Sequence, residues 1–504
     1  MFTLKHIWIT AFVIVILASV SIFLKISPGI RFVSSAQVLS PTQPVQTPKV
    51  GQESGPETFT LNFVGDILAA RSIELTMRKQ GYDYPFLRIK DVLADADMTF
   101  ANLESPLIGD KNTGRTTPGG TTVFRGDVDF ATALKDAGID MVSIANNHMK
   151  DQGAKGVTST LKVLGEAGIA HAGAGENLSE ARRIAIFDIP SKQDSTLKPL
   201  RVGVIAYNDT DVVPPTTYAT DRQSGTNTMD MTRLKQDIVT NRAGADLLII
   251  SMHSGTEYAA TANKHQTDFA HAAIDAGADM VIGHHPHVLQ PIEVYKGKYI
   301  FYSLGNFVFD QPWPYTKQSV LAHINITAKS DKGMWIIQET RPFLLPLTIS
   351  QFQPQPIVSA TGTPYKEVMA RFRFPYSFLT FGATGQQHTM LVKQAKTDEE
   401  RTKGLSGTDE LPAGEGLLFA FDEPGRHGFW MKDMNYPIDI LWFDSQFRLV
   451  HKELSVDPST YPHVFYPDRN ALYVLETRVG ELTNMSLTQD LTGELTYIDY
   501  YDKK

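Results

Sequence analysis

Residues 136–148 read DAGIDMVSIANNH, and residues 275–287 read DAGADMVIGHHPH. In each stretch an Asp-Ala-Gly turn is followed by a short apolar run that ends in Asn or His side chains. Glycine after a helical pattern is typical of a helix C-terminus, and a short apolar run bounded by turn residues is typical of a buried strand. The two stretches therefore predict a helix-turn-strand unit that is used twice, with polar side chains at the end of each strand.

Similar apolar runs ending in polar residues occur on both sides of these two units. They are FTLNFVGD (59–66), ADMTFANLE (96–104), RVGVIAYND (201–209), ADLLIISMH (245–253) and KYIFYSLGN (298–306). Amphipathic helical patterns lie between several of them, at 127–137, 155–167 and 263–276. Strands that alternate with helices predict an α/β sheet layered by helices.

The composition restricts the class of protein. A chain of 504 residues is too long for a single core, so two or more domains are expected. The net charge of -8 and the lack of a basic run argue against a nucleic-acid partner. The chain has no cysteine, which excludes disulfides, a thiolate nucleophile and Cys-ligated metal sites. Any bound metal must be held by His, Asn and carboxylate side chains.

The N-terminus carries an uncharged apolar run from Ile7 to Leu24. Eighteen residues at a rise of about 1.5 Å nearly cross a hydrocarbon core of about 30 Å. We expect residues 1–34 to be an uncleaved single-pass anchor in a cell membrane, with the bulk of the chain extracytoplasmic. A cleaved signal peptide is the alternative, because small residues occur at 34–36. Residues 35–57 are rich in Pro, Gln, Thr and Ser and are expected to be a flexible linker.

The polar residues at the predicted strand ends form a possible metal site. Ligands of open α/β sheets bind beyond the carboxyl ends of the strands. The residues at those ends are Asp66, Asn102, Glu104, Asn146, Asn147, His148, His253, His284, His285 and His287. Any one of them alone is more typical of a structural hydrogen-bonding residue. Together they offer a mixed nitrogen and oxygen ligand set, and burying so many titratable groups without a cation is costly. The pattern therefore predicts a site for a pair of metal ions.

The motifs VGD, NLESPL, FRGD, SIANNHMKDQG, GAGEN, HSGTEY, GHHPHVLQP and YSLGNFVFD occur in this order between Phe59 and Pro346. This succession resembles the CapA family of poly-γ-glutamate capsule proteins, which is placed with the calcineurin-like metallophosphoesterases. The resemblance implies an α/β four-layer metallophosphoesterase-like sandwich over residues 58–346, with two mixed sheets flanked by helices.

The resemblance also implies roles for individual residues. Asp66 and His287 would bind the first metal. Asn147, His253 and His285 would bind the second metal, and the carboxylate of Glu104 would bridge the two metals. His148 matches the position of a catalytic imidazole near the leaving group. Asn102, Asn146, Glu257 and His284 would support the ligands or contact substrate, although a plain surface glutamate is the alternative for Glu257. The wider superfamily opens with Asp-x-His, whereas Asp66 is followed by Ile67 and Leu68, so the first metal loses a ligand.

Two functions are compatible with this site. The expected cofactors are two divalent ions, and mixed imidazole and oxygen donors favour Mn, Fe or Zn. One function is a metal-dependent hydrolase in poly-γ-glutamate capsule biosynthesis or export, in which His148 acts as general acid. The alternative is a non-catalytic subunit that binds or exports the polymer and retains the metal site. Expected partners are the membrane, poly-γ-glutamate or another envelope polymer, and a capsule synthesis or export complex. Four basic residues near the motifs could contact a polyanion or form a solvated face: Arg71, Arg78, Lys79 and Arg125.

The last part of the chain has a different pattern. Residues 347–387 are expected to be a connection, and residues 388–502 a small, mostly β domain. The stretches EERTKGLSG, LPAGEGLLFAF, FWMKDMNYPIDILWFD and YVLE resemble a small bacterial family of unknown function with a WMK motif. Phe429 and Trp430 could line a groove, but a packed core with a buried Asp439 bonded to the backbone is favoured. Lys432 and Glu476 are a possible ion pair across it.

Overall fold

The computed structural model describes residues 55–109, 123–212, 215–350, 355–359, 362–372, 376–383, 386–483, 487 and 491–496. The predicted anchor at 1–34 and nearly all of the predicted linker at 35–57 lie outside the described residues. Within the described part of the chain, no helix is long and apolar enough to span a membrane.

The first sheet contains eight strands in the order β16-β15-β14-β1-β2-β3-β4, with β13 paired to β1. Its strands are β1 (Glu57–Ile67), β2 (Met98–Leu103), β3 (Met141–Ser143), β4 (Ala170–Ala172), β13 (Asn306–Val308), β14 (Gln318–Asp331), β15 (Met334–Ile349) and β16 (Pro356–Val358). The pairs among β1 to β4 are parallel, whereas β14 runs antiparallel to β1. The sheet is therefore mixed.

The second sheet contains six strands in the order β11-β12-β10-β9-β7-β6. Its strands are β6 (Ala185–Ile189), β7 (Leu200–Asn208), β9 (Leu247–His253), β10 (Met280–His284), β11 (Ile292–Tyr295) and β12 (Lys298–Phe301). A short separate pair joins β5 (Ala174–Gly175) to β8 (Gly225–Thr226). The strands β7, β9, β10 and β12 are parallel, and the edge strands β6 and β11 are antiparallel to their neighbours.

The helices occupy the connections between these strands. They are α1 (Arg71–Gln80), α2 (Lys90–Leu93), α3 (Phe130–Asp136), α4 (Gly153–Glu166), α5 (Leu178–Ala181), α6 (Met231–Asn241), α7 (Lys264–Ala276), α8 (Gly362–Phe372) and α9 (Asp398–Lys403). Helix α7 begins with a capping box of Asn263 and Gln266 and ends at Gly277, whose φ of 112° few other residues adopt. The repeated Asp-Ala-Gly turn follows α3 and α7, and it leads into β3 of the first sheet and β10 of the second. The predicted unit is thus used once in each sheet.

Three apolar clusters join these elements into an α/β sandwich, as predicted. The central cluster contains Phe63 and Phe100 from the first sheet with Val204 and Ile282 from the second. A second cluster packs α1, α3 and α4 against the first sheet. A third cluster packs α6 and α7 against the second sheet. The two mixed sheets therefore face each other and carry helices on their outer faces.

The C-terminal region is rich in β structure, as predicted, and forms one sheet of seven strands in the order β21-β20-β22-β19-β18-β17-β23. These strands are β17 (Tyr376–Ala383), β18 (Gln386–Ala395), β19 (Glu415–Gly425), β20 (Ile438–Phe443), β21 (Leu449–Val456), β22 (Ala471–Arg478) and β23 (Thr492–Thr496).

The stretch 347–387 differs from the expected connection. The strand β15 continues to Ile349, and β16 extends the first sheet. Strand β17 pairs with both β18 and β23, so the C-terminal sheet begins at Tyr376 rather than at His388. The physical reason is apolar burial: Phe378, Leu379 and Phe381 are buried in two different clusters, which fixes this segment as a strand.

Candidate metal centre

Strand register brings the predicted polar residues into line at one end of the two sheets. In the first sheet, Asp66 of β1 lies opposite Asn102 of β2 and Asn306 of β13. In the second sheet, His253 of β9 lies opposite Asn208 of β7 and His284 of β10. Because the strands are parallel, their carboxyl ends meet at the same edge. The loops that follow β3 and β10 add Asn147, His148, His285 and His287 at this edge.

One group of ligand atoms is formed by Asp66, Glu104 and His287, which lie within 4.8 Å of one another. The Nδ1 of His287 is 3.3 Å from Asp66 Oδ2, and its Nε2 is 3.5 Å from Glu104 Oε1. All three residues are buried. The resemblance assigns these residues to the first metal and the bridging position, and they lie together in the structure.

A second group is formed by Asn147, His253 and His285. The Nε2 of His253 lies 2.9 Å from Asn147 Oδ1 and 3.2 Å from His285 Nδ1. Two imidazole nitrogens and one amide oxygen thus converge on one point. These are the three residues that the resemblance assigns to the second metal.

Glu104, a member of the first group, also lies next to the second group. Its Oε1 has no hydrogen-bond partner among the described residues. Three imidazole nitrogens surround this oxygen: Nε2 of His287 at 3.5 Å, and Nε2 of His253 and of His148 at 4.0 Å each. Burial raises the pKa of Glu104 well above its usual value. A buried carboxylate oxygen without a donor is a position where a cation would remove a desolvation cost.

The protonation of the other side chains is shaped by burial and by their neighbours. Although burial opposes its ionisation, the pKa of Asp66 is held well below its usual value by the imidazoles of His284 and His287. Burial lowers the pKa of His253 well below its usual value and that of His285 to about 3. Burial also disfavours the charged form of His287, but the charge of Glu104 and the hydrogen bond to Asp66 raise its pKa to about 9.

These observations fit a divalent metal site. Neutral imidazoles and an ionised carboxylate are the states that bind metals, and the states of His253, His285 and Asp66 match this requirement. Glu104 and His287, whose pKa values are raised, would have to release their protons when a metal binds. Glu104 Oε1 has no hydrogen-bond partner among the described residues, and Nε2 of His253 and Nδ1 of His285 lie 3.2 Å apart, close enough to bind one cation together. The donor set of carboxylate, amide and imidazole suits a divalent transition metal.

His148 lies at the border of the cluster and is held by two contacts. Its Nδ1 is 2.9 Å from Asp151 Oδ2, and its ring stacks on Phe124 with centroids 3.8 Å apart. Its Nε2 points toward Glu104. The contact with Asp151 fixes the orientation of the imidazole and leaves Nε2 free to exchange a proton with a substrate.

The predicted supporting residues occupy different positions. Asn102 donates to Asp66 Oδ1 at 2.8 Å and lies 3.3 Å from His253 Nδ1, so it links the two groups. Asn146 donates to Leu103 O and to Asn102 Oδ1, and its own Oδ1 accepts from the backbone of His148.

Two further predicted residues flank the cluster. His284 is buried, its Nδ1 is 3.3 Å from Asp66 Oδ1, and its Nε2 has no hydrogen-bond partner in the described residues. Glu257 is exposed, which agrees with the alternative of a plain surface glutamate. One of its carboxylate oxygens nevertheless lies within 4.8 Å of ligand atoms of His285 and His287.

The His-His-Pro-His turn holds its ligands in an unusual backbone conformation. His285 has a φ of 98° and His287 a φ of 58°, which non-glycine residues rarely adopt. Such conformations persist only where the surrounding structure holds them and are concentrated at functional sites. This backbone conformation is consistent with a turn that directs the imidazoles of His285 and His287 toward the cluster.

Two residues of this site were missed by the sequence analysis, and a third, Arg71, was named there only as a possible contact to a polyanion. Asn306 Oδ1 lies 2.9 Å from His287 Nδ1, and Asp151 holds His148. Arg71 has a φ of 55°, forms an ion pair with Asp310, and places its guanidinium 4.9 Å from the centroid of Phe124. The available signals were the strand end YSLGN for Asn306 and the spacing of three residues from His148 for Asp151.

Comparison with family models gives two matches. Residues 60–311 match the model described as "Bacterial capsule synthesis protein PGA_cap". Residues 380–492 match DUF192, an uncharacterized family.

Curated relatives and solved structures were also found. The chain is 34% identical to "Capsule biosynthesis protein CapA" of Bacillus anthracis over 308 residues, which is 60% of this chain and 71% of that protein. It is 32% identical to "PGA biosynthesis protein CapA" of Bacillus subtilis over 312 residues, 62% of this chain and 77% of that protein. The crystal structure of the calcineurin-like phosphoesterase YfkN from Bacillus subtilis matches with a TM-score of 0.37 and 16% identity, covering 57% of this chain and 91% of that one. The resemblance to the CapA family noted from the motifs is confirmed, and the chain belongs to the family of bacterial capsule synthesis proteins, PGA_cap.

Proposed function

We propose that this protein acts in making or exporting a poly-γ-glutamate capsule at the bacterial cell envelope, as a metal-dependent hydrolase of an anionic substrate. The capsule role is supported by family membership and by two relatives that are named for capsule or PGA biosynthesis. The hydrolase role is carried by one observation: the imidazole of His148 is held by Asp151 and directed at Glu104, beside the metal-binding side chains.

In this proposal the metal ligands are Asp66, Glu104, Asn147, His253, His285 and His287. Divalent ions held there would supply Lewis acidity, which stabilises negative charge on the scissile group and favours ionisation of the attacking water. The number and identity of the ions are part of the proposal, with two ions of Mn, Fe or Zn expected from the donor types.

The residues around the ligands bind and orient the substrate. Arg71, which is paired with Asp310, places its guanidinium against Phe124, and the ring of Phe124 stacks on His148. The guanidinium charge favours an anionic substrate. His148 would then donate a proton from Nε2 to the leaving group, while Asp151 stabilises the charged imidazolium.

The second candidate function is a non-catalytic subunit that binds or exports the polymer. It would retain the metals but would not hydrolyse a substrate. One observation favours it: Leu68 is buried where the wider superfamily keeps a histidine ligand, so the first metal has fewer ligands. The membrane anchor at residues 1–34 and an extracytoplasmic location belong to both versions of the proposal.

The two functions are separated by an assay of the metal-loaded protein against poly-γ-glutamate and a generic phosphodiester. Hydrolysis that is lost in His148→Ala, but retained in a matched His171→Ala control, supports the enzyme. His171 is a suitable control because it is partly exposed and its Nδ1 lies 3.2 Å from the backbone oxygen of Ile169. Binding of the polymer without hydrolysis of either compound would reject the enzyme in favour of the binding subunit.

A further inference from the structure

The C-terminal sheet carries a cavity of about 420 Å³ that is separate from the metal-binding residues. Its lining includes four aromatic side chains, the carboxyl group of Glu476, and further charged side chains: Phe419, Phe421, Phe429, Trp430, Asp398, Arg401 and the exposed Lys403. The rings of Phe419 and Phe429 meet edge to face with centroids 4.7 Å apart. Trp430 is 50% exposed, which places an aromatic side chain at the mouth of the cavity.

Glu476 occupies a position that the strand pattern would give to an apolar side chain. It lies on β22, in the middle of the sheet, where it pairs with Leu417 of β19 and Ile440 of β20. Val474, two residues earlier and so on the same face, belongs to the apolar cluster. A glutamate at the next inward position is costly to bury unless it has a partner.

No partner for this carboxyl group is found within the described residues. Glu476 is 4% exposed, and its Oε2 has no hydrogen bond. The possible ion pair with Lys432 does not form, because Lys432 is exposed and makes no salt bridge to Glu476 in the described part of the chain. Arg401 also lines the cavity, but its guanidinium binds Ala420 O, Asp398 and Asp422.

The space in front of the carboxyl group is kept open by Gly404. A Cβ at this position would lie 3.3 Å from Phe419 Cζ and 3.7 Å from Glu476 Oε2. Gly404 also has a φ of 48°, which disfavours other residues there. A larger side chain at this position would therefore come into close contact with Phe419, next to the carboxyl group of Glu476.

An unpartnered carboxyl group within aromatic walls has the chemistry of a site for an organic cation. Aromatic faces carry negative potential and attract cations, and a carboxylate supplies the counter-charge. The cavity already shows this preference, because the guanidinium of Arg401 lies 5.2 Å from the centroid of Phe421. We propose that the cavity binds a small organic cation, a primary ammonium on an apolar group, with the ammonium on Glu476 and the apolar group against Phe419, Phe429 and Trp430.

Binding of such a cation is coupled to a proton. Burial raises the pKa of Glu476 to about 8, so at pH 7 the empty cavity holds mostly the neutral acid. An ammonium ion favours the carboxylate and lowers this pKa again. Binding at pH 7 should therefore release a proton to the buffer, which a neutral ligand would not do.

The experiment is a calorimetric titration of the full chain with benzylamine at pH 7, repeated in two buffers of different ionisation enthalpy. Benzyl alcohol serves as the neutral ligand of similar shape. We expect benzylamine to bind at least about tenfold more tightly than benzyl alcohol, as a charge-assisted contact requires, with release of close to one proton. Glu476→Gln should weaken benzylamine by about tenfold or more and abolish the proton release.

One further variant tests the position of the ligand. Trp430→Ala, at an exposed position, should weaken benzylamine without changing the thermal unfolding midpoint. The metal-binding residues are unchanged in both variants, so any binding lost in them belongs to this cavity. Equal affinity for benzyl alcohol, unchanged benzylamine binding in Glu476→Gln, or no benzylamine binding at millimolar concentration would each overturn the proposal.

Discussion

The Nδ1 of His148 lies 2.9 Å from Oδ2 of Asp151, three residues further along the chain. The opposite nitrogen of the same ring lies 4.0 Å from Glu104. One side of the imidazole is therefore anchored by a carboxylate, and the other side faces the proposed metal ligands.

The first prediction concerns this anchor. Asp151→Asn should lower kcat by about 10-fold to 100-fold, the usual effect of removing a hydrogen-bond partner that orients a functional histidine. Bound metal should remain unchanged, because Asp151 is not among the ligands. Asp136→Asn, which makes the same change at an exposed position at the end of α3, is the control. If Asp151→Asn loses metal as well as turnover, Asp151 does more than position His148.

The second prediction concerns Asn306, whose Oδ1 lies 2.9 Å from His287 Nδ1. Asn306→Ala should weaken metal binding by about 10-fold or more, because His287 loses the contact that sets its orientation. Titration of the metal-free protein with Mn²⁺ measures the effect. Asn241→Ala removes a comparable amide, bonded to the backbone of Asp237 on α6, and should leave the affinity unchanged. Equal affinities for the Asn306 variant and the wild type would remove Asn306 from the site.

The third prediction concerns the charge of the substrate. Arg71→Gln should raise KM for an anionic substrate by about 10-fold, since an interaction with a charged group is worth about 1.5–3 kcal/mol. Lys79→Gln removes the same charge from an exposed position on the same helix and should have no effect. Steady-state kinetics of the two variants provide the comparison. A similar change in both would mean that only general surface charge is involved.

The fourth prediction concerns the stability of the C-terminal sheet as a function of pH. The pKa of Glu476 is raised from 4.5 to about 8, so between these values the folded state keeps a proton that the unfolded state releases. This raised pKa makes the free energy of unfolding fall as pH rises, by up to about 1.4 kcal/mol per pH unit in this window. The glutamine in Glu476→Gln cannot ionise, so the free energy of unfolding of this variant should not show this fall with pH.

Urea unfolding at pH 5, 6.5 and 8 tests this dependence. The stability of Glu476→Gln relative to the wild type should increase steadily from pH 5 to pH 8, whereas Glu399→Gln on the exposed face of α9 should show a constant difference. A constant difference for Glu476→Gln would mean that its carboxyl group is solvated in the folded protein.

The α/β sandwich could be predicted from the sequence because its strands are continuous apolar runs and its turns carry glycine. Gly138 and Gly277, with φ values of 94° and 112°, close the two repeated helices as the Asp-Ala-Gly pattern indicates. The convergence of Asp66, Glu104, His253 and His287 followed from their positions at parallel strand ends. Their roles as metal ligands stay a prediction.

Other parts could not be predicted because they depend on contacts distant in sequence. The pairing of β17 with β23 joins Phe378 to Thr496, and no local pattern signals such a contact. Arg71 reaches the site through Asp310, which is 239 residues away. The lack of a partner for Glu476 could not be predicted either. The sequence indicated a possible ion pair with Lys432, but Lys432 is exposed and forms no salt bridge to Glu476 within the described residues.

The most direct test of the central claim is the metal content of the full chain after reconstitution with Mn²⁺, Fe²⁺ or Zn²⁺ and removal of free ions. Elemental analysis should be done in parallel on Asp66→Ala and His148→Ala. We predict close to two ions in the wild type and in His148→Ala, and a clear loss in Asp66→Ala. A wild-type protein that retains no metal would contradict the account of this site.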